Sequence, residues 1–511
     1  MNADLKKIPF LDEIPSIHTV FEPDRITKDV RPLAERQKQG NKIVKDLETA
    51  IRLSGLKDGM TISFHHHFRN GDYIVNMVMD RLAEMGFRGL VVAASSLTDC
   101  HAPLIKHIKS GVIRRIETSG LRGELGEAVS GGLMDVPVVF RSHGGRAYAI
   151  ETGELPIDVA FLGAPSCDPY GNANGYSLES GGGVMCGSMG YAKCDAQYAK
   201  KTIVITDSVV PYPNTPCSIP ETQVDYIVKV PKIGDPNGIM SGATRFTRNP
   251  KELLIAESAA NVIMASGYFE DGFSFQMGSG GASLAVARFL RDKMAERNMK
   301  AGFALGGITG SVVDLFEEGL VKKILDVQSF DLKAAESVKK NRFHQQISAS
   351  YYAGPGGKGS AVNQLDVVIL SALEVDCDFN VNVLTGSNGV IRGAIGGHPD
   401  TAFGASVSII VAPLIRGRIP CVVEKVNTVV TPGKTVDIVV TDQGVAANPQ
   451  RADLLSRLKK SNIPLCTIEQ LKEKAERIVG KPKPVEYTDK VVGVVTYRDG
   501  SVIDLIRQVK D

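Results

Sequence analysis

Hydrophobic and polar residues alternate along positions 59–95 in a way that predicts two short strands separated by a helix. An apolar run at Thr61–Phe64 is followed by a glycine-containing loop, by helical spacing of apolar residues over 73–85, and by a second apolar run at Gly89–Ala94. Short buried strands that alternate with amphipathic helices are typical of parallel sheets. This part of the chain is therefore predicted to be α/β.

The same order of elements returns about 210 residues further along the chain. Residues 272–307 repeat the pattern of 59–95, and QLDVVILSALEVDCDFNVN (364–382) repeats PIDVAFLGAPSCDPYGNAN (156–174). A steady offset over such a length indicates an internal duplication. The predicted fold class is α/β, with two homologous domains that each contain an open parallel sheet with helices on both faces.

The predicted domain boundary lies in a loop-forming segment rich in Gly, Pro and Asn, residues 234–250. The first domain spans 1–245 and includes an N-terminal extension. The second domain spans 246–511 and includes a C-terminal tail.

Composition excludes several classes of function. The chain has 511 residues, of which 52 are glycine, and 59 basic residues nearly balance 57 acidic residues. This balance predicts no nucleic-acid or membrane-surface partner. Long apolar runs and a signal-peptide core are absent, and the eight cysteines form no CxxC pair. A cytoplasmic protein with reduced thiols and no membrane span is expected.

The stretch FHHHFRNGD (64–72) contains three consecutive histidines at a predicted strand end. That edge of a parallel sheet is where ligands bind. A metal site needs converging ligands, but adjacent residues of an extended segment point to opposite faces. Three interpretations stay open, namely a metal site, the wall of a substrate pocket and polar packing. The absence of a bound metal is the expectation.

Three glycine clusters follow predicted strands in the second half: QMGSGGAS (276–283), FALGGITGS (303–311) and GVIRGAIGGHPDTAFGAS (389–406). Glycines allow a ligand to approach the backbone, and amides at a helix start can bind an oxyanion. Packing alone also explains such turns. The loop at Gly278, Gly280 and Gly281 lacks the GxGxxG pattern and a fitting acidic residue after it, and AGPGGKGS (353–360) does not match GxxxxGK[ST], which argues against nicotinamide or nucleoside triphosphate binding. The thioester and oxyanion-loop candidates are Gly278, Ser279, Gly280, Gly281, Gly306, Gly307, Gly396 and Gly397.

These glycine loops resemble the CoA-transferase superfamily. GAIGGHPDTAFGAS, the strands in SIIVAPLIRGRIPCVVEKV after it, and DIVVTDQGVA (437–446) carry the likeness, which covers about residues 40–450. Within the superfamily the chain resembles the family of citrate lyase alpha subunits, and the terminal segment KPVEYTDKVVGVVTYRDGSVIDLIRQVKD agrees with that family.

The resemblance implies an acyl transfer. The acetyl group of an acetyl thioester would be exchanged for citrate, giving a citryl thioester and acetate. The thiol would belong to a CoA-like prosthetic group on a small acyl-carrier subunit, and a separate beta subunit would cleave the citryl thioester. The resemblance thus implies an oligomeric complex, a thioester substrate and no tightly bound cofactor.

One segment departs from the pattern of the superfamily. Many members carry a catalytic glutamate after the second strand of the later half, but AGFALGGITGSVV (301–313) has no carboxylate, and Asp314 lies in the helix that follows. The catalytic side chains therefore stay unassigned. We expect a ternary-complex reaction, in which a substrate carboxylate attacks the thioester and backbone amides stabilise the oxyanion. The carboxylate-binding candidates are His65, His67, Arg69, Arg392 and His398.

Two rival functions share these features. A thioester hydrolase, or a transferase that uses free CoA and another acid, would need the same fold and loops. A ligand-binding regulator would also be possible on a related fold, but the sequence shows no basic recognition helix.

Overall fold

The structure of the protein is a computed structural model that describes residues 41–65, 67–177, 185–240, 247–278 and 280–510. Residues from 42 onward form one compact unit. The predicted N-terminal extension lies outside the described residues, as do His66 and Ser279.

The first half of the chain contributes short strands and helices in alternation. Its strands are β1 (Ile43–Val44), β2 (Thr61–Phe64), β3 (Leu90–Ala94), β4 (Ile113–Thr118), β5 (Val138–Phe140), β6 (Val159–Ala164), β7 (Ser166–Cys167), β8 (Ala173–Asn174), β9 (Lys201–Thr206) and β10 (Tyr226–Lys229). Its helices are α1 (Leu47–Ser54), α2 (Ile74–Glu84), α3 (Leu104–Lys109), α4 (Gly123–Ser130), α5 (His143–Glu151) and α6 (Gly190–Tyr198).

The second half repeats this alternation and adds further strands. Its strands are β11 (Ser274–Met277), β12 (Phe303–Ile308), β13 (Ile324–Ser329), β14 (His344–Gln346), β15 (Val367–Ser371), β16 (Glu374–Asp376), β17 (Val381–Asn382), β18 (Val407–Val411), β19 (Ile415–Arg416), β20 (Ile419–Pro420), β21 (Val422–Val423), β22 (Ile438–Thr441), β23 (Gly444–Ala447), β24 (Leu465–Cys466), β25 (Tyr487–Thr496) and β26 (Val502–Val509). Its helices are α7 (Pro250–Ser266), α8 (Gly281–Glu296), α9 (Gly310–Glu317), α10 (Leu332–Lys340), α11 (Ala349–Ala353), α12 (His398–Gly404), α13 (Ala452–Leu458) and α14 (Ile468–Val479).

The two halves have the same strand order. The first sheet contains the run β10-β9-β6-β2-β3-β4-β5, and the second contains β22-β18-β15-β11-β12-β13-β14. Every pairing within both runs is parallel. The predicted duplication and the α/β fold class with parallel sheets are confirmed.

Burial explains why the central strands read as continuous apolar runs. All five residues of β18 are buried, as are all six residues of β6. Helices cover both faces of a parallel sheet, so its central strands need apolar side chains on both faces.

The C-terminal tail extends the sheet of the first half. Strand β25 pairs in parallel with β5, through Val494 against Val139, and β26 pairs antiparallel with β25. The sequence analysis placed this tail in the second domain, whereas in the structure its hairpin pairs with the sheet of the first half. The boundary between residues 245 and 246 stays a prediction.

The two halves also share contacts at their strand ends. Ser188, just before α6, donates its Oγ hydrogen to the Asp326 carbonyl over 2.8 Å, and Ile395 N donates to the Ser119 carbonyl over 2.7 Å. One continuous hydrophobic core contains residues of both sheets. No helix among the described residues is long and apolar enough to cross a membrane.

Candidate active site

A cluster of buried aromatic rings lies where β2, α5 and α6 meet. The His65 and His67 rings, which follow β2, are 4.2 Å apart, and the His65 ring is 5.1 Å from the Tyr191 ring. The His143 ring at the start of α5 packs 4.4 Å from Tyr191. His65 and His67 thus lie on one side of their segment, as alternation predicts for residues two apart.

A chain of hydrogen bonds connects this cluster to a glycine loop of the second half. His65 Nδ1 is 2.7 Å from Ser95 Oγ, and Ser119 Oγ donates to the Ser95 carbonyl over 2.6 Å. The Ser119 carbonyl in turn accepts from Ile395 N. The loop at 393–397 is therefore held against the strand ends of the first half.

Glycines at 396 and 397 let this loop fit between the halves. The Gly396 carbonyl accepts from His143 N over 2.9 Å, and Gly396 has a φ of 58°. A Cβ atom at Gly397 would lie 2.4 Å from the Tyr352 hydroxyl. A larger residue at Gly397 would therefore displace Tyr352.

Gly306 lies beside a second contact of the same tyrosine. Gln276 Nε2 donates to Tyr352 Oη over 2.9 Å. Gly306 has a φ of 101° at a register shift in β12, and its Cβ would lie 2.6 Å from Gln276 Cδ. A side chain at Gly306, in the segment where the superfamily has its glutamate, would therefore displace Gln276 and strain the backbone.

The glycine loop before α8 offers fewer free amides than its sequence suggests. Gly278 N donates to the Ile369 carbonyl over 2.7 Å, so this amide is already engaged. Gly280 is the N-cap of α8 without a side-chain cap, and Ser283 Oγ is 2.7 Å from Ser371 Oγ. Amides in the first turn of α8 are therefore the better oxyanion donors.

Arg69 crosses from the first half to the second. Its guanidinium lies 4.8 Å from the Phe330 ring centroid, and Nη1 donates to the Ile239 carbonyl over 3.2 Å. The Phe330 ring also fills the space beside Gly307, whose Cβ would lie 2.2 Å from it. Burial, with a smaller contribution from the charge of Arg122, lowers the pKa of Arg69 to about 10, so the group stays cationic at neutral pH.

The remaining carboxylate-binding candidates occupy different surroundings. His398 is buried, with Nδ1 2.6 Å from Thr431 Oγ1 and Nε2 3.2 Å from the Ser371 carbonyl. Arg392 is exposed and donates to Asn388 Oδ1 over 3.1 Å. The structure therefore does not bring Arg392 together with the other candidates.

Burial keeps several imidazoles of this region neutral. It lowers the pKa of His67 and of His143 to about 3, and that of His398 to about 4. A neutral imidazole can donate one hydrogen bond but offers no positive charge to a substrate carboxylate. His67 and His398 are therefore unsuited to act as cations, whereas Arg69 keeps its charge.

The structure describes His65 and His67 of the histidine triplet. Among the described residues, no group of three His, Cys, Asp or Glu side chains is arranged to hold a metal ion. The expectation that this segment binds no metal stays a prediction.

Asp400 ties the halves together and was missed by the sequence analysis. Its carboxylate, which is fully buried, accepts from Ser142 Oγ over 3.0 Å and from Gly144 N over 2.9 Å, and lies 3.5 Å from Arg498 Nε. Burial raises its pKa to about 6.

Sequence reasoning also missed His143, Tyr191 and Tyr352. The apolar run before Ser142-His143-Gly144-Gly145 repeats the strand-then-glycine pattern of the recognised loops, so His143 could have been found. Tyr191 and Tyr352 enter the site through packing against residues distant in sequence, and no local pattern marks them.

The buried His67 predicts a measurable pH dependence of stability. Its pKa is about 3 when folded against an ordinary value of 6.5, so between these values the unfolded chain binds more protons and stability falls as pH falls. His143 and His398 act in the same direction, and Asp400, whose pKa is raised, acts in the opposite direction. Replacing His67 with Phe should shrink the loss of unfolding free energy between pH 6 and pH 5 by about 1 kcal/mol. Urea unfolding at both pH values measures this, and an unchanged loss would contradict it.

Taken together, the duplicated parallel sheets and the glycine loops at their strand ends define a CoA-transferase-like protein. One chain in a structure of a Pseudomonas malonate decarboxylase hetero-tetramer in complex with malonate has a similar fold. The match covers 87% of this chain and 88% of that one, with a TM-score of 0.64 at 15% identity.

The chain belongs to the citrate lyase alpha subunit family. The family "Citrate lyase, alpha subunit (CitF)" matches residues 40–509. The citrate lyase alpha chain of Klebsiella pneumoniae is 61% identical over 478 residues, which covers 94% of this chain and 93% of that one. A Streptococcus mutans structure is described as the alpha subunit of citrate lyase in complex with citrate. It is 57% identical with a TM-score of 0.90, and the match covers 98% of this chain and 96% of the Streptococcus mutans chain.

Proposed function

We propose that this chain exchanges the acetyl group of a carrier-bound acetyl thioester for citrate, giving a citryl thioester and acetate. Membership of the citrate lyase alpha subunit family carries this proposal, and an exchange of acetyl for citrate fits that family. The Streptococcus mutans relative, described as a complex with citrate, supports citrate as the acid substrate.

We further propose that no enzyme carboxylate forms a thioester during the exchange. The segment 301–313 contains no Asp or Glu, and a side chain at Gly306 within it would displace Gln276. A covalent route would therefore need a carboxylate from elsewhere in the fold.

Asp326 is the carboxylate that the fold brings beside Gly306. The two residues are paired in the register of β12 and β13. Asp326 is fully buried, lies 3.1 Å from His344 Nε2 and accepts from Ser329 Oγ over 2.7 Å. Burial raises its pKa. Both partners contact Oδ2, whereas Oδ1 is buried without a hydrogen-bond partner among the described residues. Because the side chain has no exposed surface, a thioester could reach it only if neighbouring residues moved, which favours a reaction without it.

The proposed chemistry then uses the carboxylate of citrate itself. One of its oxygens attacks the acetyl carbonyl, and the carbon–sulfur bond breaks to give a mixed anhydride and a thiolate. The thiolate attacks the citryl carbonyl of the anhydride, and acetate leaves with the bridging oxygen. Holding both substrates together supplies most of the acceleration. First-turn amides of α8 would stabilise the developing oxyanion, and one such donor is typically worth about 3 kcal/mol.

An alpha subunit of citrate lyase belongs to a complex with other subunits. We propose that an acyl-carrier subunit brings the thiol on a CoA-like prosthetic group and that a beta subunit cleaves the citryl thioester. The chain would hold no cofactor tightly, since the thioester is a substrate.

An acyl-exchange assay tests the proposal. Purified chain should convert acetyl thioester and citrate to citryl thioester and acetate in equal amounts, with intersecting reciprocal plots when both substrates are varied. Parallel plots accompany a covalent intermediate. Release of acetate at the same rate without citrate would identify a thioester hydrolase instead. Equal activity with other acids and free CoA would identify a general CoA-transferase.

A further inference from the structure

Arg122 lies close to the proposed site but takes no part in the contacts described so far. It follows β4 and is the N-cap residue of α4. Its Nε atom is buried and has no hydrogen-bond partner among the residues that the structure describes. Within that part of the chain, no carboxylate forms an ion pair with Arg122 at 4.0 Å or less.

Two buried arginines of the described chain, Arg146 and Arg498, are paired with carboxylates. Arg146 Nη2 is 2.9 Å from Asp195 Oδ1, and Arg498 Nε is 3.5 Å from Asp400 Oδ1. Arg122 has no such contact: the charges of Asp99 and of a second guanidinium, that of Arg69, both act on it, but no carboxylate of the described residues lies within 4.0 Å. Its position is also the positive end of a helix. A partly buried cation with no carboxylate in direct contact is suited to bind a negative charge from outside the chain.

The backbone places Arg122 at the junction of the two halves. Gly120, two residues earlier, forms an antiparallel bridge with Ala394 of the glycine loop. Ile395 N donates to the Ser119 carbonyl. Arg69 reaches the same junction and lies against Phe330 beside Gly307. Two guanidinium groups thus approach the region where the glycine loops meet.

We propose that Arg122, together with Arg69, binds the carboxylates of citrate that do not react. The inference rests on the proposed function. One carboxylate of a tricarboxylate attacks the thioester and two keep their negative charges, and a planar guanidinium binds a carboxylate through two hydrogen bonds. Arg122 is then a specificity-determining residue, because an acid with a single carboxylate would offer it no carboxylate beyond the reacting one.

Steady-state kinetics of Arg122→Gln test this. The KM for citrate should rise at least 10-fold, while the KM for the acetyl thioester stays within 2-fold of the wild type. With glutarate, which has only one carboxylate beyond the reacting one, the variant should lose less than with citrate. Arg114→Gln removes an exposed cation of β4, the strand that precedes Arg122, and should match the wild type. A citrate KM within 2-fold of the wild-type value in folded Arg122→Gln overturns the proposal.

Two further measurements keep the test independent of folding and of the proposed reaction. Arg122→Lys keeps the charge but not the bidentate geometry, and its citrate affinity should fall about 3-fold or more. Equilibrium dialysis with labelled citrate alone reads out the binding directly. If the wild type binds citrate but catalyses no exchange, the proposed function fails and the dialysis of the variants still decides the role of Arg122. Equal citrate binding by the wild type and Arg122→Lys overturns it.

Discussion

Replacing Asp400 with Ala is expected to lower the free energy of unfolding by about 3–5 kcal/mol. The change removes the acceptor of Ser142 Oγ and Gly144 N and leaves the guanidinium of Arg498, which is 5% exposed, without its carboxylate. A buried cation that has lost its partner accounts for most of the loss. Because Asp400 follows the glycine loop at 393–397, turnover should fall as well.

Urea unfolding of two further variants tests whether the loss comes from the buried contacts of Asp400 with Ser142, Gly144 and Arg498, here called the buried network, or from removing any acidic side chain. Asp400→Asn keeps the shape and one acceptor oxygen, so its loss should be smaller than that of Asp400→Ala. Asp453→Ala, at an exposed carboxylate paired with Arg451, should lose no more than about 1 kcal/mol. Equal losses in Asp400→Ala and Asp453→Ala would show that the network is not structurally important.

Replacing Gly306 with Ala is expected to lower turnover about 100-fold. Its Cβ would lie 2.6 Å from Gln276 Cδ, so the Gln276 side chain must move away from Tyr352. The φ of 101° adds about 1–3 kcal/mol of backbone strain for a residue with a side chain.

Gly272→Ala is the matched control for this change. Gly272 has a φ of 92° but no heavy atom of the described residues within 4 Å of its Cβ position. The Gly272→Ala variant should have similar backbone strain but keep nearly full turnover in the acyl-exchange assay. If both variants lose turnover equally, strain alone explains the effect and the Gln276–Tyr352 contact has no role in the site.

Much of the fold could be predicted because its elements are encoded locally. The apolar run Thr61–Phe64 is strand β2, and the strand-loop-helix pattern at 272–307 gives β11, α8 and β12. Repetition of that pattern predicted the duplicated sheets. The C-terminal hairpin was not assigned to the first sheet, because pairing of Val494 with Val139 joins residues far apart in sequence and leaves no periodic signal.

The candidate site was predicted only in its backbone. Glycine clusters mark the loops because tight turns and positive φ values restrict the residue type locally, as at Gly306 and Gly396. Side chains that complete the site come from elements far apart in sequence, as Tyr352 does beside Gly397 and His143 does beside Gly396. The charge states of the imidazoles also follow from burial, which the sequence of FHHHFRNGD does not reveal.

The most direct test of the account is a single turnover with citrate labelled with ¹⁸O in its carboxylates, and with enzyme in excess over acetyl thioester. Direct attack by citrate on the acetyl carbonyl transfers one citrate oxygen to acetate, so mass spectrometry should find acetate that carries one ¹⁸O and a protein without label. A covalent route would release acetate with an oxygen from the enzyme. Unlabelled acetate, together with ¹⁸O on an Asp or Glu of the protein, would contradict the proposed mechanism.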